Sequence, residues 1–286
     1  MHTSGFWPTD STASCSSDAA PAAGPVCAIH QPNLFPRLST LAKLFAADVW
    51  IVLDDVQFAR RDYQHRARLA PAAGTPGLAR WLSIPTHLPA GRATLIRDAR
   101  VVAPVLSRHR IADLLREHYR TTPHWAAFKP RLEVLLDVFE RTDRTGTVAQ
   151  ESTLLLLSMV GWSGRVVVSS DLNASTNRSQ RLADLCSAVG AATYLCGTGG
   201  MRYIEPAVFD RAAVQPRPFA VPNSGLWAGA SRTSAVAALT AYGPQRLAEL
   251  LEHRAAARSR TSRSAPPWPV PLHEPVPARH VHPRPL

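Results

Sequence analysis

Two short segments that are apolar at every position, Val26–Ile29 and Val49–Leu53, lie on either side of one amphipathic stretch. Runs of this length are too short for buried helices, and apolarity at every position marks a strand covered on both faces. Between them Leu38, Leu41, Ala42, Leu44 and Phe45 recur at helical spacing, with Pro36 placed at or near the helix start. A strand, a helix and a strand within about thirty residues form a parallel βαβ unit, which commits the chain to a sheet with helices packed on it.

The remainder continues that pattern. Trp81–Pro85, Gly164–Ser169 and Ala192–Cys196 read as further strands, and 59–80 as a charged loop. Helical periodicity covers 103–119, 124–141 after Pro123, 147–160, Thr176–Val189 closed by Gly190, and 233–252 with an interruption at Tyr242-Gly243-Pro244. The expected fold is therefore α/β, a mostly parallel, Rossmann-like sheet flanked by helices. One folded body is expected over 25–252. The Ser/Ala/Pro-rich leader 1–24 and the Pro/Arg-rich tail 253–286 lack packing periodicity and are expected to be disordered.

Composition narrows the function classes. The net charge is +11, but residues 254–286 hold six arginines against Glu274 alone and so carry +5 of it. The rest is spread over the body, with no dense basic helix and no aromatic-basic interleaving, which argues against nucleic acid and for the steering of an anionic substrate. Lys43 and Lys129 are the only lysines, and the Arg, Ala and Pro excess points to a GC-rich genome. No run approaches the roughly 18 apolar residues that span a bilayer, and the start has no export-signal pattern, so the expected location is the cytoplasm. Cys15, Cys27, Cys186 and Cys196 form no CxxC pair and show no Cys/His metal spacing, so neither structural zinc nor a disulfide framework is expected.

Ligands of an open parallel sheet bind beyond the carboxyl ends of its strands. Three strand-end junctions carry suitable side chains: His30-Gln31-Pro32-Asn33, Asp54-Asp55-Val56-Gln57-Phe58, and Cys196-Gly197-Thr198-Gly199-Gly200-Met201-Arg202-Tyr203. Neighbouring first and second strands would put His30 beside Asp54 or Asp55, which would orient the imidazole for proton transfer. The alternative is that His30 and the aspartates serve only as caps. Asp54-Asp55 also suits Mg²⁺ with phosphate, although adjacent carboxylates diverge in extended chain. Arg61 and Arg66, in the loop after this junction, are candidate anion anchors, since the guanidinium fork matches carboxylate and phosphate. The CGTGG turn is neither a dinucleotide fingerprint nor a P-loop, but its amides suit an anion. Cys196 is either a nucleophile activated by His30 or a buried, inert strand-end thiol; the second is the better bet.

The stretch HQPNLFPRLSTLAKLFAADVWIVLDDVQFARRDYQHRARL resembles the opening signature of the WbqC-like family. SSDLNASTNRSQRLADLCSAVGAATYLCGTGGMRYIEPAVF is similar to its second signature, an (S/T)-x-R-L helix, a YLSG-like turn and a Tyr. The likeness covers about 26–251. By this resemblance His30, Gln31, Asn33, Asp54, Asp55, Gln57, Arg66, Gly197 and Tyr203 match the family pattern as site residues. It implies a place in O-antigen, polysaccharide or specialised-metabolite biosynthesis, with glycyl or other aminoacyl transfer to an amino sugar. Departures are Cys196 in place of Ser, Ala67 in a loop that is often polar, Ala237 where the pattern has Asp, and SGLWAGA in place of a YPQ-like stretch, which puts the acceptor in doubt.

The leading expectation is a transferase moving an acyl or aminoacyl group onto an amino-sugar or small-molecule amine. A loose analogy to nucleotidylyltransferase-type folds makes ATP with Mg²⁺ a conceivable activator. His30 is the expected base, Asp54 its orienter, Arg61 and Arg66 the anchors, and residues 197–200 the cradle. A non-catalytic binding or scaffold protein is the rival, and nucleic-acid binding through the tail a weaker third.

Overall fold

The computed structural model describes residues 24–71, 78–197 and 199–261, so the leader before 24 and the tail after 261 lie outside the described residues. In chain order the strands are β1 (Val26–His30), β2 (Val49–Val52), β3 (Arg66–Leu69), β4 (Arg80–Ser83), β5 (Thr86–His87), β6 (Arg100–Val101), β7 (Arg165–Val168), β8 (Thr193–Gly197) and β9 (Gln215–Phe219). The helices are α1 (Leu38–Phe45), α2 (Pro104–Tyr119), α3 (Trp125–Leu136), α4 (Val138–Arg141), α5 (Thr145–Met159), α6 (Arg178–Ala188), α7 (Pro206–Arg211), α8 (Val236–Tyr242) and α9 (Pro244–Thr261).

The main sheet has the order β7-β2-β1-β8-β9, and every pairing in it is parallel. The chain thus builds outward from β1 through β2 to β7, then returns to the other side of β1 for β8 and β9. This is the doubly wound arrangement, and its order reverses between β1 and β8. Period-two alternation explains why β1 and β2 are apolar throughout. Ala28, Trp50, Val52 and Leu195 pack with α1, α5, α8 and α9 on one face. Cys27, Ile29, Val49, Ile51, Tyr194 and Cys196 pack with α6 and α7 on the other.

Several elements differ from the sequence reading. Trp81–Pro85 does not join the main sheet: β4 pairs antiparallel with β3, which lies inside the segment read as loop. Hydrophobic pattern alone cannot say which sheet a strand enters. The helix expected over 124–141 breaks into α3 and α4 around Asp137. Strand β9 was missed because QPRPF contains two prolines. Gln215 N donates to Ala192 O at 2.8 Å, so residues of its parity face β8, while Pro216 and Pro218 present their missing donors to the outer edge. Helix α9 runs past the expected boundary at 252 to Thr261, and Arg254 lies over Phe219 and donates to Ala220 O.

The turn after β1 is held from α5. Ser152 Oγ accepts from Phe35 N at 2.8 Å, and Thr153 Oγ1 donates to Asn33 O at 2.9 Å. Phe35 is buried at φ 41°, a left-handed conformation that a bulky residue adopts only when its surroundings enforce it. Ser152→Ala leaves the buried Phe35 N–H without a partner. The expected loss is about 1–3 kcal/mol in urea unfolding.

Candidate functional site

The carboxyl edge of the sheet carries two separate cavities, one on either side of the His30–Asn33 turn. The first sits where the strand order reverses. It encloses about 420 Å³ and is lined by His30, Arg37, Ser39, Thr40, Lys43, Gly197, Gly199, Phe219, Ala220, Val221 and Ser231. His30 continues the parity of Ala28 and therefore emerges on the α1 side, above Lys43. Its Nδ1 lies 2.7 Å from Gln31 O; because a carbonyl only accepts, Nδ1 carries the proton and Nε2 is left as an acceptor. Burial pulls the His30 pKa down to about 3, with the nearby Lys43 and Arg37 charges adding to the shift.

Lys43 is a buried cation. It donates to Ile29 O at 3.3 Å, and burial lowers its pKa to about 8, which leaves it mainly charged at neutral pH. Arg37 precedes α1, lies over the Tyr63 ring at 4.4 Å and donates from Nη1 to Ser231 O at 3.1 Å. Its Nε is buried without a hydrogen-bond partner. Neither cation forms an ion pair among the described residues. Sequence reasoning missed both. The available signal was a lysine inside an otherwise apolar LAKLF helix in a chain that almost always uses arginine.

The second cavity, about 430 Å³, lies beyond β2 and β7 and is lined by Pro32, Asp54, Arg97, Asp98, Arg144, Gly146, Thr147, Gln150 and Ser170. Asp54 Oδ1 accepts from Ser170 N at 3.1 Å and Ser169 Oγ at 3.2 Å, and Oδ2 accepts from Ser170 Oγ at 2.9 Å. The expected His30–Asp54 dyad is therefore not formed: the imidazole answers to Gln31 and the carboxylate to two serines. β2 and β1 are neighbours as expected, but their loops turn the two side chains into different cavities.

Asp55 is tied down more strongly. It accepts from Ser169 Oγ at 2.5 Å and forms an ion pair with Arg181 at low exposure. Burial by itself would raise its pKa, but the Ser169 hydroxyl and the Arg181 guanidinium outweigh that and hold it below the usual carboxylate range. This pair joins the LDDVQF segment to the S-x-R-L helix, which Asn177 caps by accepting from Ser179 N and Gln180 N.

The remaining candidates separate. Gln31 Oε1 accepts from the buried Gln64 Nε2 at 2.6 Å, and Asn33 is buried beneath the turn. Gln57 donates to Arg92 O. Arg61 is exposed, and Arg66 spends its guanidinium on the backbone of Arg61 and Asp62 and on the face of Trp81, so neither lines the cavity at the strand reversal. Gly197 and Gly199 line that cavity and have open space where a Cβ would stand, whereas a Cβ on Gly200 would come within 2.6 Å of Cys196 Sγ. Cys196 points to the α6–α7 side, away from His30, and burial holds its thiol above the ordinary range. Tyr203 is exposed beneath the guanidinium of Arg178. Among the described residues no three His, Cys, Asp or Glu side chains cluster as metal ligands, and no helix is long and apolar enough to cross a membrane.

The fold is a doubly wound parallel α/β sheet with a cationic cavity at its strand reversal, the place where open sheets of this class bind their ligands. The chain belongs to the WbqC-like protein family, whose model matches residues 31–223. It is similar to the uncharacterized protein Rv1507c of Mycobacterium tuberculosis, with 25% identity over 191 residues that cover 66% of this chain and 79% of that protein. No solved structure matches.

The buried groups set two expectations. His30 stays neutral in the folded protein down to about pH 3, whereas the unfolded chain takes up a proton near 6.5. Acidification below 6.5 therefore favours unfolding. Between pH 6.5 and 5, His30 lowers stability by up to about 2 kcal/mol, a loss that His30→Gln removes from the pH profile of urea unfolding. Arg181→Ala strands the Asp55 carboxylate and is expected to cost about 2–4 kcal/mol, part of which Asp55→Asn restores in the double variant.

Proposed function

We propose that this protein is a transferase that moves an acyl or aminoacyl group from an activated, anion-bearing donor to an amine, in the biosynthesis of a polysaccharide or specialised metabolite. The observation that carries this reading is the pair of cations without acidic partners among the described residues, Lys43 and Arg37, in a cavity at the reversal between β1 and β8. A buried lysine costs stability, and a ligand anion is the partner that would offset the cost. The open backbone at Gly197 and Gly199 suits close approach of a phosphate or carboxylate. This moves the anchoring role from Arg61 and Arg66 to Arg37 and Lys43.

In the proposed step the amine nitrogen forms a bond to the acyl carbon while the carbon–oxygen bond to the leaving phosphate breaks. The phosphate takes the electron pair and stays against Lys43 and Arg37. The ammonium proton passes to His30 Nε2, the ring nitrogen left without a proton. An empty cavity makes His30 a poor base; a bound anion neutralises the two cations beside it and raises its basicity. A binding protein without turnover is the second reading, favoured by the low basicity of His30 and its separation from Asp54.

A thermal-shift screen of the full chain against ATP with Mg²⁺, acyl-CoA thioesters, nucleotide-sugars and amino acids tests the proposal. The expected result is a shift with an activated donor or ATP that disappears in Lys43→Met, itself at least as thermally stable as the parent at pH 7. Turnover with that donor and an amine should fall by about 100-fold or more in His30→Ala with donor binding retained. Binding without turnover in the parent protein would establish the second reading. A donor shift that survives Lys43→Met would remove the cationic cavity as its site.

A further inference from the structure

A third cavity lies outside the carboxyl edge, in the segment inserted between β2 and β7. It encloses about 300 Å³ and is lined by Phe58, Arg60, His65, Ser83, Ile84, Pro85, Thr86 and Arg110. Three features set it apart from ordinary charged surface. Arg60 from the loop after β2 and Arg110 from α2 both face it, and neither forms an ion pair among the described residues. His65 Nδ1 is buried with no hydrogen-bond partner. The ring packs against Phe58 at 5.3 Å between centroids, which fixes its orientation.

The chemistry of the lining follows from these facts. A buried N–H with nothing to donate to is the costlier of the two ways to leave Nδ1 alone, so the neutral ring carries its proton on Nε2. Nε2 is then the donor that can meet a ligand in the cavity. With it stand two guanidinium groups and the hydroxyls of Ser83 and Thr86; Thr86 Oγ1 already has Ile84 O as an acceptor at 3.1 Å. Among the described residues no carboxylate lines the cavity. Burial opposes protonation of the His65 ring, Arg66 and Arg60 add to this, and Asp62, whose Oδ1 accepts from Tyr63 N at 2.8 Å, acts the other way. A site rich in donors and free of acids in its lining selects an oxyanion, and two arginine forks select one with several oxygens.

We propose that the cavity between the Arg60–His65 loop, β4–β5 and α2 is a second anion site that binds the phosphate group of a small phosphorylated molecule. Arg60 and Arg110 clasp the phosphate from opposite elements, and His65 donates to it from Nε2. The site is separate from the cavity at the strand reversal and does not depend on the transferase reading. It also gives a role to the arginine-rich loop whose Arg61 and Arg66 turn to the surface and to Trp81.

The test is calorimetric titration of the full chain with inorganic phosphate at pH 7, paired with NMR of the histidine ring signals. In the parent protein phosphate binds and shifts the His65 resonances, assigned through their loss in His65→Asn. The double variant Arg60→Gln/Arg110→Gln changes two exposed side chains and should keep the parent melting temperature. Its phosphate affinity at this site is expected to fall by about ten-fold or more, and the His65 shift is expected to vanish. Lys43→Met should leave the His65 response intact, because it acts on the other cavity alone. The proposal is overturned if the His65 signals do not respond to millimolar phosphate, or if they respond equally in the double variant.

Discussion

Strand β1 is paired along both edges, with β2 through Cys27 to His30 and with β8 through Val26 and Cys27. A parallel strand so placed must be apolar on both faces and must end where its neighbours' connections leave in opposite directions. The crevice at its carboxyl end is a consequence of that topology. His30 is the last residue of the strand, and its carbonyl accepts from both Leu53 N and Trp50 Nε1. The backbone that carries the imidazole is therefore locked to β2, while the ring is free to face the cavity on the α1 side.

The polarity around this edge divides by job once partners are assigned. Gln31, Gln64, Asn33, Ser152 and Thr153 hold the turn in place. Asp55 and Arg181 fasten the first sequence signature to the second, across more than a hundred residues of chain. Ser170, through its backbone N–H and its hydroxyl, does the same for Asp54. The two aspartates are thus engaged within the protein, Asp55 by Arg181 and Ser169 and Asp54 by Ser170. Lys43 and Arg37 are the contrast: charge kept at a cavity wall with no ion-pair partner among the described residues.

That division explains why the chemistry was only partly legible. A sequence signature marks residues that matter without separating those that build a site from those that face it. Asp54 and His30 both qualify by strand-end position, yet their side chains enter different cavities. Arg61 and Arg66 had the right chemistry for an anchor, but Trp81 and nearby carbonyls claim Arg66. Lys43 was passed over because it lies within α1 and not at one of the strand-end junctions from which candidates were taken. Helix α1 lies against the sheet, and its lysine has nowhere to go but the cavity floor.

Local patterning by itself determined the class of fold: the apolar runs at 26–29, 49–53 and 192–196, the intervening helices and the glycine turn after β8 follow from side-chain periodicity and backbone freedom. The resemblance to the WbqC-like family, and not the patterning, located the two signatures. Strand order was not available from the patterning, since nothing in a single apolar run says which neighbour it will pair with. The tertiary structure decided that β8 returns beside β1, that β4 joins β3 instead of the main sheet, and that proline-rich β9 forms the edge. From those pairings follow the place of the cavity, the exposure of His30 to Lys43 and not to Asp54, and the burial of Cys196. Each depends on contacts between residues far apart in the chain, and such contacts exist only after the sheet has closed.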